Sequence, residues 1–209
     1  MNFSVATALL SGLLAAGLLA TGASAASQNP PAGSVNTEQV EQGQLQSDGG
    51  DTLAYRIRLL PVTSFPDLPS AIAAQLRSRR CLIPQSFEAQ APENVIQGAF
   101  RAKGSSDWAV LCSAAGTTTL YVFFAGQFDA PVALRSQPDT AWLGADPGSS
   151  TFGSAWGISA RGAADLRASR QLHGAADFDH DGIEDARLEH AATVRYCQDG
   201  HWLALTGPQ

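Results

Sequence analysis

Four aspartates and a glycine near the C-terminus carry the most specific chemistry in the sequence. The stretch Asp177-Phe-Asp179-His-Asp181-Gly182-Ile183-Glu-Asp185 puts carboxylates at positions 1, 3, 5 and 9 of a loop. A backbone that curls around one centre brings such groups together, with Gly182 at position 6 supplying the sharp turn and the Ile183 carbonyl adding an oxygen at position 7. Many hard oxygen donors on a flexible loop select calcium over transition metals, which favour imidazole and thiolate. The expected ligand set is therefore Asp177, Asp179, Asp181, Asp185 and the Ile183 carbonyl, with Ca²⁺ as the cofactor. Without a cation the clustered carboxylates repel one another, so the empty loop is expected to be frayed or protonated. His180, at position 4, is expected to point outward and is not counted as a ligand.

The spacing is not that of an EF-hand. Position 12 is Leu188, where an EF-hand places a bidentate Glu, and the flanking sequence does not frame the loop with two helices. The missing Glu predicts modest affinity, on the order of 10⁻⁴ M. A second stretch, Ala99-Phe100-Arg101-Ala-Lys103-Gly104-Ser-Ser-Asp107, repeats Phe at position 2, Gly at 6 and Asp at 9. Its positions 1, 3 and 5 are Ala99, Arg101 and Lys103, so this copy is not expected to bind calcium. Arg101 or Lys103 is expected to pair with Asp107 and hold a similar turn. The shared spacing points to an internal duplication.

These two stretches resemble the FG-GAP or VCBS type of blade repeat, in which an Asp-rich calcium loop closes in Asp and runs into a hydrophobic strand. Val95 to Leu111 resembles a degenerate blade start, and Ala176 to Ala186 an intact one. Cys81-Leu-Ile-Pro-Gln, Asp107-Trp-Ala-Val-Leu-Cys112 and His180 to Asp185 also resemble motifs of uncharacterised secreted bacterial proteins. The resemblance carries over no activity. Two blades do not close a propeller, which needs at least four. It implies a partial propeller or a sandwich-like domain.

The elements that must hold these loops are mostly strands. Residues 51–59 alternate, with Leu53, Tyr55, Ile57 and Leu59 on one face, as a half-buried strand does. A helix follows, with Asp67 as N-cap, Pro69 in the first turn, and Ile72 and Leu76 on one face. Arg77, Arg79 and Arg80 crowd its last turn, where positive charge suits the helix dipole. Short strands are expected over 94–100, 107–112, 117–124, 130–134, 185–190, 193–197 and 201–205. Asp199-Gly200 marks a tight hairpin between the last two. The small-residue stretch 136–174 is hard to assign; Trp142, Trp156 and Ile158 read as buried anchors, and 163–172 as a short helix or a strand. The expected fold is α+β and mostly β: an N-terminal strand and helix, then two three-stranded antiparallel blade-like units over 94–135 and 175–207, within one domain spanning 51–209.

The chain has 209 residues, formal net charge −6 and a pI near 5.0, which argues against a general nucleic-acid or anionic-membrane binder. The apolar run Val5 to Ala20, followed by Ala23-Ser24-Ala25, reads as a signal peptide over 1–25, cut after Ala25. Residues 26–50 are rich in Gln, Ser, Asn, Gly and Pro and are expected to form a disordered linker. All three cysteines follow the leader, which in an oxidising compartment predicts one disulfide and one spare thiol. Of the three possible pairings, Cys81–Cys112 is preferred because it ties a helix end to a strand below. No Gly-x-Ser-x-Gly elbow, Ser-x-x-Lys or His-Glu-x-x-His occurs, so the sequence leans away from an enzyme. The expectation is a secreted or periplasmic calcium-binding module for an unidentified protein or glycan ligand, with no membrane association after leader removal. An extracytoplasmic hydrolase or an inhibitor of a secreted enzyme is the alternative.

Overall fold

A computed structural model describes residues 37–47, 49–169, 178–188 and 192–206. Thirteen strands and two helices follow in the order β1 (Gln39–Gln46), β2 (Thr52–Pro61), α1 (Ser70–Ser78), β3 (Leu82–Gln85), β4 (Val95–Gly98), β5 (Asp107–Ala114), β6 (Thr117–Phe123), β7 (Val132–Pro138), β8 (Leu143–Ala145), β9 (Phe152–Ser154), β10 (Trp156–Arg161), α2 (Ala163–Ala168), β11 (Gly182–Arg187), β12 (Thr193–Gln198) and β13 (His201–Thr206). The chain is mostly β. Its strands form two open sheets: a nine-stranded mixed one, ordered β7-β6-β5-β3-β2-β9-β8 with β1 on β2 and β4 on β5, and a four-stranded antiparallel one, β10-β11-β12-β13.

β5 explains the layering. Its residues Trp108 to Ser113 are all buried, because alternate side chains enter different cores. Trp108, Val110 and Cys112 join Ile72 and Leu76 of α1 on one face. Ala109 and Leu111 join Trp156, Ile158 and Ile183 of the smaller sheet on the other. The outer face of the smaller sheet is closed by Leu166 of α2, packed with Phe178, Val194, Tyr196 and Leu205. The arrangement is sandwich-like, with a helix on each outside.

The first expected unit holds the four strands read over 94–134 rather than three, all within the larger sheet, and the second gains β10 from outside its expected bounds. The first is the meander β4–β7 and the second β10–β13, and the two look-alike loops lie in corresponding places, between the first and second strands of each. The Asp199-Gly200 hairpin forms as expected, with both residues at positive φ (51° and 79°) and Gln198 paired to His201. Cys81 and Cys112 are joined in a disulfide, with Cα atoms 5.1 Å apart. Cys197 is free and buried.

Two expectations are corrected, and an unassigned stretch is filled in. Residues 39–46, assigned to a disordered linker on composition, form β1, held by eight consecutive register pairs with β2. Backbone pairing along a formed strand, with Leu45 opposite Leu53 and packed against the cluster that includes Leu82 and Leu143, substitutes for the apolar content that the segment lacks. The α1 N-cap is Pro69 rather than Asp67, and no side chain caps the helix. Within 136–174, three strands appear (β8, β9 and β10) that short Gly- and Ser-rich segments concealed, and the stretch read as a short helix or a strand holds the helix α2. Among the described residues, no helix is long and apolar enough to cross a membrane.

Asn94 fastens the two sheets. It is 2% exposed and sits at φ 69°, a left-handed conformation that Asn tolerates better than most residues. Its Nδ2 donates to the Pro84 carbonyl (2.7 Å) and the Trp156 carbonyl (3.2 Å), and its Oδ1 accepts from Ile158 N (3.0 Å). The side chain thus occupies the edge of β10 as a further strand would.

Candidate functional site

The acidic loop enters β11 beside the start of α2 and the loop between β4 and β5. Asp177 lies outside the described residues. The other four expected ligands diverge. Asp179 is exposed and keeps its carboxylate at the surface, where Oδ1 lies 2.5 Å from His180 Nδ1 and accepts from the Tyr196 hydroxyl (3.2 Å). The hydrogen bond from His180 is the main reason its carboxyl is held below the usual range. Asp181 is a clasp: Oδ2 accepts from Ala99 N (2.9 Å), Oδ1 accepts from Ala163 N (3.3 Å), and its own amide donates to the Ala99 carbonyl (2.9 Å). One side chain therefore joins the end of β4, the first turn of α2 and the start of β11.

Asp185 turns inward. It is 1% exposed; Oδ1 accepts from Trp156 Nε1 (2.8 Å) and Oδ2 from Arg195 Nε (2.8 Å), with Arg135 a further 3.5 Å away. Arg135 in turn lies over the Trp142 and Trp156 rings. The negative charge of Asp185 is compensated by these guanidinium groups. Ile183 sits inside the sheet, in register with Ala160 and Arg195. Gly182 does not make the sharp turn expected of it: it begins β11 in an extended conformation. A Cβ there would stand 2.8 Å from Val194 Cγ1, so close packing is what demands glycine.

The degenerate copy uses its Asp differently. Asp107 is fully buried, and it accepts from Arg101 N (2.8 Å), the Ser105 hydroxyl (2.6 Å) and Ala125 N (2.9 Å). The ion pair expected from Arg101 or Lys103 does not form among the described residues: Arg101 meets Asp107 through its backbone amide alone, and its guanidinium reaches Gln127 and lies over the Phe124 ring. Gly104 does turn sharply, at φ 79°.

His180 is the residue the sequence reading placed wrongly. It is 7% exposed and stacked on Tyr196 at 4.3 Å. Its Nε2 is buried with no hydrogen-bond partner among the described residues. Its alternation with Asp179 along the loop was the available signal: one exposed side chain leaves its neighbour facing in. A cavity of about 590 Å³ lies alongside, lined by Arg101, Asp179, His180, Tyr196 and the β12–β13 hairpin. Cys197 also borders it, and burial pushes its thiol pKa up, which favours the unreactive protonated form.

Among the described residues, no three carboxylate, imidazole or thiol groups stand together as a metal site. The donor chemistry splits. Asp179 and Asp181 offer oxygens at or near the surface and fit a hard cation, whereas Asp185 is spent on Trp156 and Arg195 and does not fit as a ligand in this arrangement. Comparison with known protein families, curated proteins and solved structures gives no match to any of them.

Proposed function

We propose that this chain is an exported binding module in which the acidic loop takes calcium as a structural ion. The observation that carries the reading is the spacing of Asp177, Asp179 and Asp181 just ahead of β11, with Asp181 already clasping three segments of the fold. Asp177, Asp179 and Asp181 would hold the ion, and Asp185 serves as the buried anchor beneath them. A bound cation would neutralise the loop's surface carboxylates and so favour the closed arrangement of β4, α2 and β11. Export is supported by the leader-like sequence over 1–25 and by the Cys81–Cys112 disulfide, a bond that persists in oxidising compartments.

The test is a melting curve of the protein in calcium, magnesium and chelator. At a tenfold excess over its dissociation constant, calcium should add about 1.4 kcal/mol, raising Tm by about 3–6 °C for a domain of this size. Asp179→Asn should abolish most of that shift while leaving the chelated protein's Tm nearly unchanged, because Asp179 is exposed. Asp181→Ala is the poorer probe, since it also removes the bonds to Ala99 and Ala163. Identical melting in calcium, magnesium and chelator would end the metal reading.

A further inference from the structure

A second cavity, of about 410 Å³, lies away from the acidic loop, where β2, the turn after β3 and the 146–154 hairpin meet. Arg56 and Arg58 stand two residues apart on β2, so their side chains share one face of the strand. Among the described residues, the Arg56 side chain makes no ion pair and no hydrogen bond. Arg58 touches Glu38 Oε1 at 3.2 Å through Nε, yet that buried Nε–H has no well-directed hydrogen bond. Ser86 and Ser154, 6% and 5% exposed, also line the cavity, and among the described residues no hydrogen bond engages either hydroxyl.

The walls are built rather than loose. Phe87 is wedged against two glycines: a Cβ on Gly153 would lie 2.6 Å from the Phe87 Cβ, and one on Gly144 2.9 Å from its ring. The facing turn is tied internally by Gly148 N donating to Asp146 Oδ1 (2.8 Å) and by the Ser149 and Thr151 hydroxyls, 2.7 Å apart. Asp146 is thereby committed to its own turn through one oxygen.

The chain carries a net charge of −6, so two neighbouring guanidiniums facing a recess run against its overall charge. A pair of planar donors matches the two oxygens of a carboxylate. Unengaged hydroxyls beside an aromatic ring match a polar ring bearing hydroxyls of its own. We propose that this cleft binds a hydroxylated carboxylate of the acidic-sugar class, its carboxylate held by Arg56 and Arg58 and its hydroxyls by Ser86 and Ser154. Glu38 holds Arg58 at the mouth, where the carboxylate of the ligand displaces it. This gives the binding role proposed above a ligand class, and it is independent of the calcium loop.

The experiment is calorimetric titration of the protein, with chelator present, using sodium glucuronate, glucose and inorganic phosphate as separate probes. Glucuronate should bind saturably, glucose should give no heat, and phosphate should bind more weakly than glucuronate. Arg56→Gln should weaken glucuronate binding by about tenfold to a hundredfold, as expected for a lost charge-assisted hydrogen bond. It should leave Tm nearly unchanged, because the Arg56 side chain is exposed and makes no ion pair or hydrogen bond among the described residues. Glu38→Gln, at an exposed residue, should tighten binding by removing the competing carboxylate. Absence of glucuronate binding, phosphate binding as tight as glucuronate, or Arg56→Gln binding like the parent would overturn the proposal. Because calcium is chelated throughout, none of these outcomes depends on the acidic loop.

Discussion

Glu41 stands on β1 with the Tyr55 hydroxyl 3.3 Å from its carboxylate. Burial, and then the negative charge of Asp139, raise its pKa from the ordinary 4.5 to about 7. Asp139 is itself buried and fixed by the Ser113 and Thr118 hydroxyls, each at 2.6 Å. The folded protein therefore holds a proton on Glu41 that the unfolded chain has already released. The stabilising contribution is complete below about pH 4.5 and is lost as pH rises through about 7. Urea unfolding midpoints should fall between pH 5 and pH 8 for the parent, and Glu41→Gln should flatten that decline. A parallel decline in the variant would show that another group is responsible. At this scale the sequence disclosed residue types better than their directions. The spacing of Asp179, Asp181 and Asp185 was legible, but which of them meets Trp156 and Arg195 depends on a sheet face that only pairing defines. Arg56 and Arg58 read simply as the polar side of an alternating strand.

Elements whose evidence is local were the legible ones. The alternation of residues 51–59 foretold β2, and Asp199-Gly200 foretold the β12–β13 hairpin, because side-chain period and turn chemistry are written within a few residues. β1 was missed because it is held by its neighbour, not by its own composition. β10 was missed because its edge is completed by Asn94, a residue 64 positions from Ile158 in the chain. Asn94→Ala removes all three side-chain bonds and leaves a non-Gly residue at positive φ. It should cost about 2–4 kcal/mol, read as a lowered denaturation midpoint. If Asn94→Ala is as stable as the parent, the two sheets are held by apolar packing alone.

For the molecule as a whole, stacking the smaller sheet on the larger followed from neither blade-like unit taken singly. It rests on the two-sided burial of β5, whose run Trp108 to Cys112 is continuously apolar. The same strand carries one end of the disulfide, which spans 31 residues from the end of α1. Closing a loop of that length stabilises a fold by about 3–4 kcal/mol in the chain-entropy treatment. Reduction with alkylation should therefore lower the denaturation midpoint by a corresponding amount, and an unchanged midpoint would assign the bond no such role. The third cysteine has a consequence for how the chain matures. Either pairing that involves Cys197 encircles a segment more than twice as long as the native one, so random encounter favours Cys81 with Cys112. Once β12 is laid down, the leftover sulfur is buried and its raised pKa keeps it protonated, which slows its exchange with the finished bond.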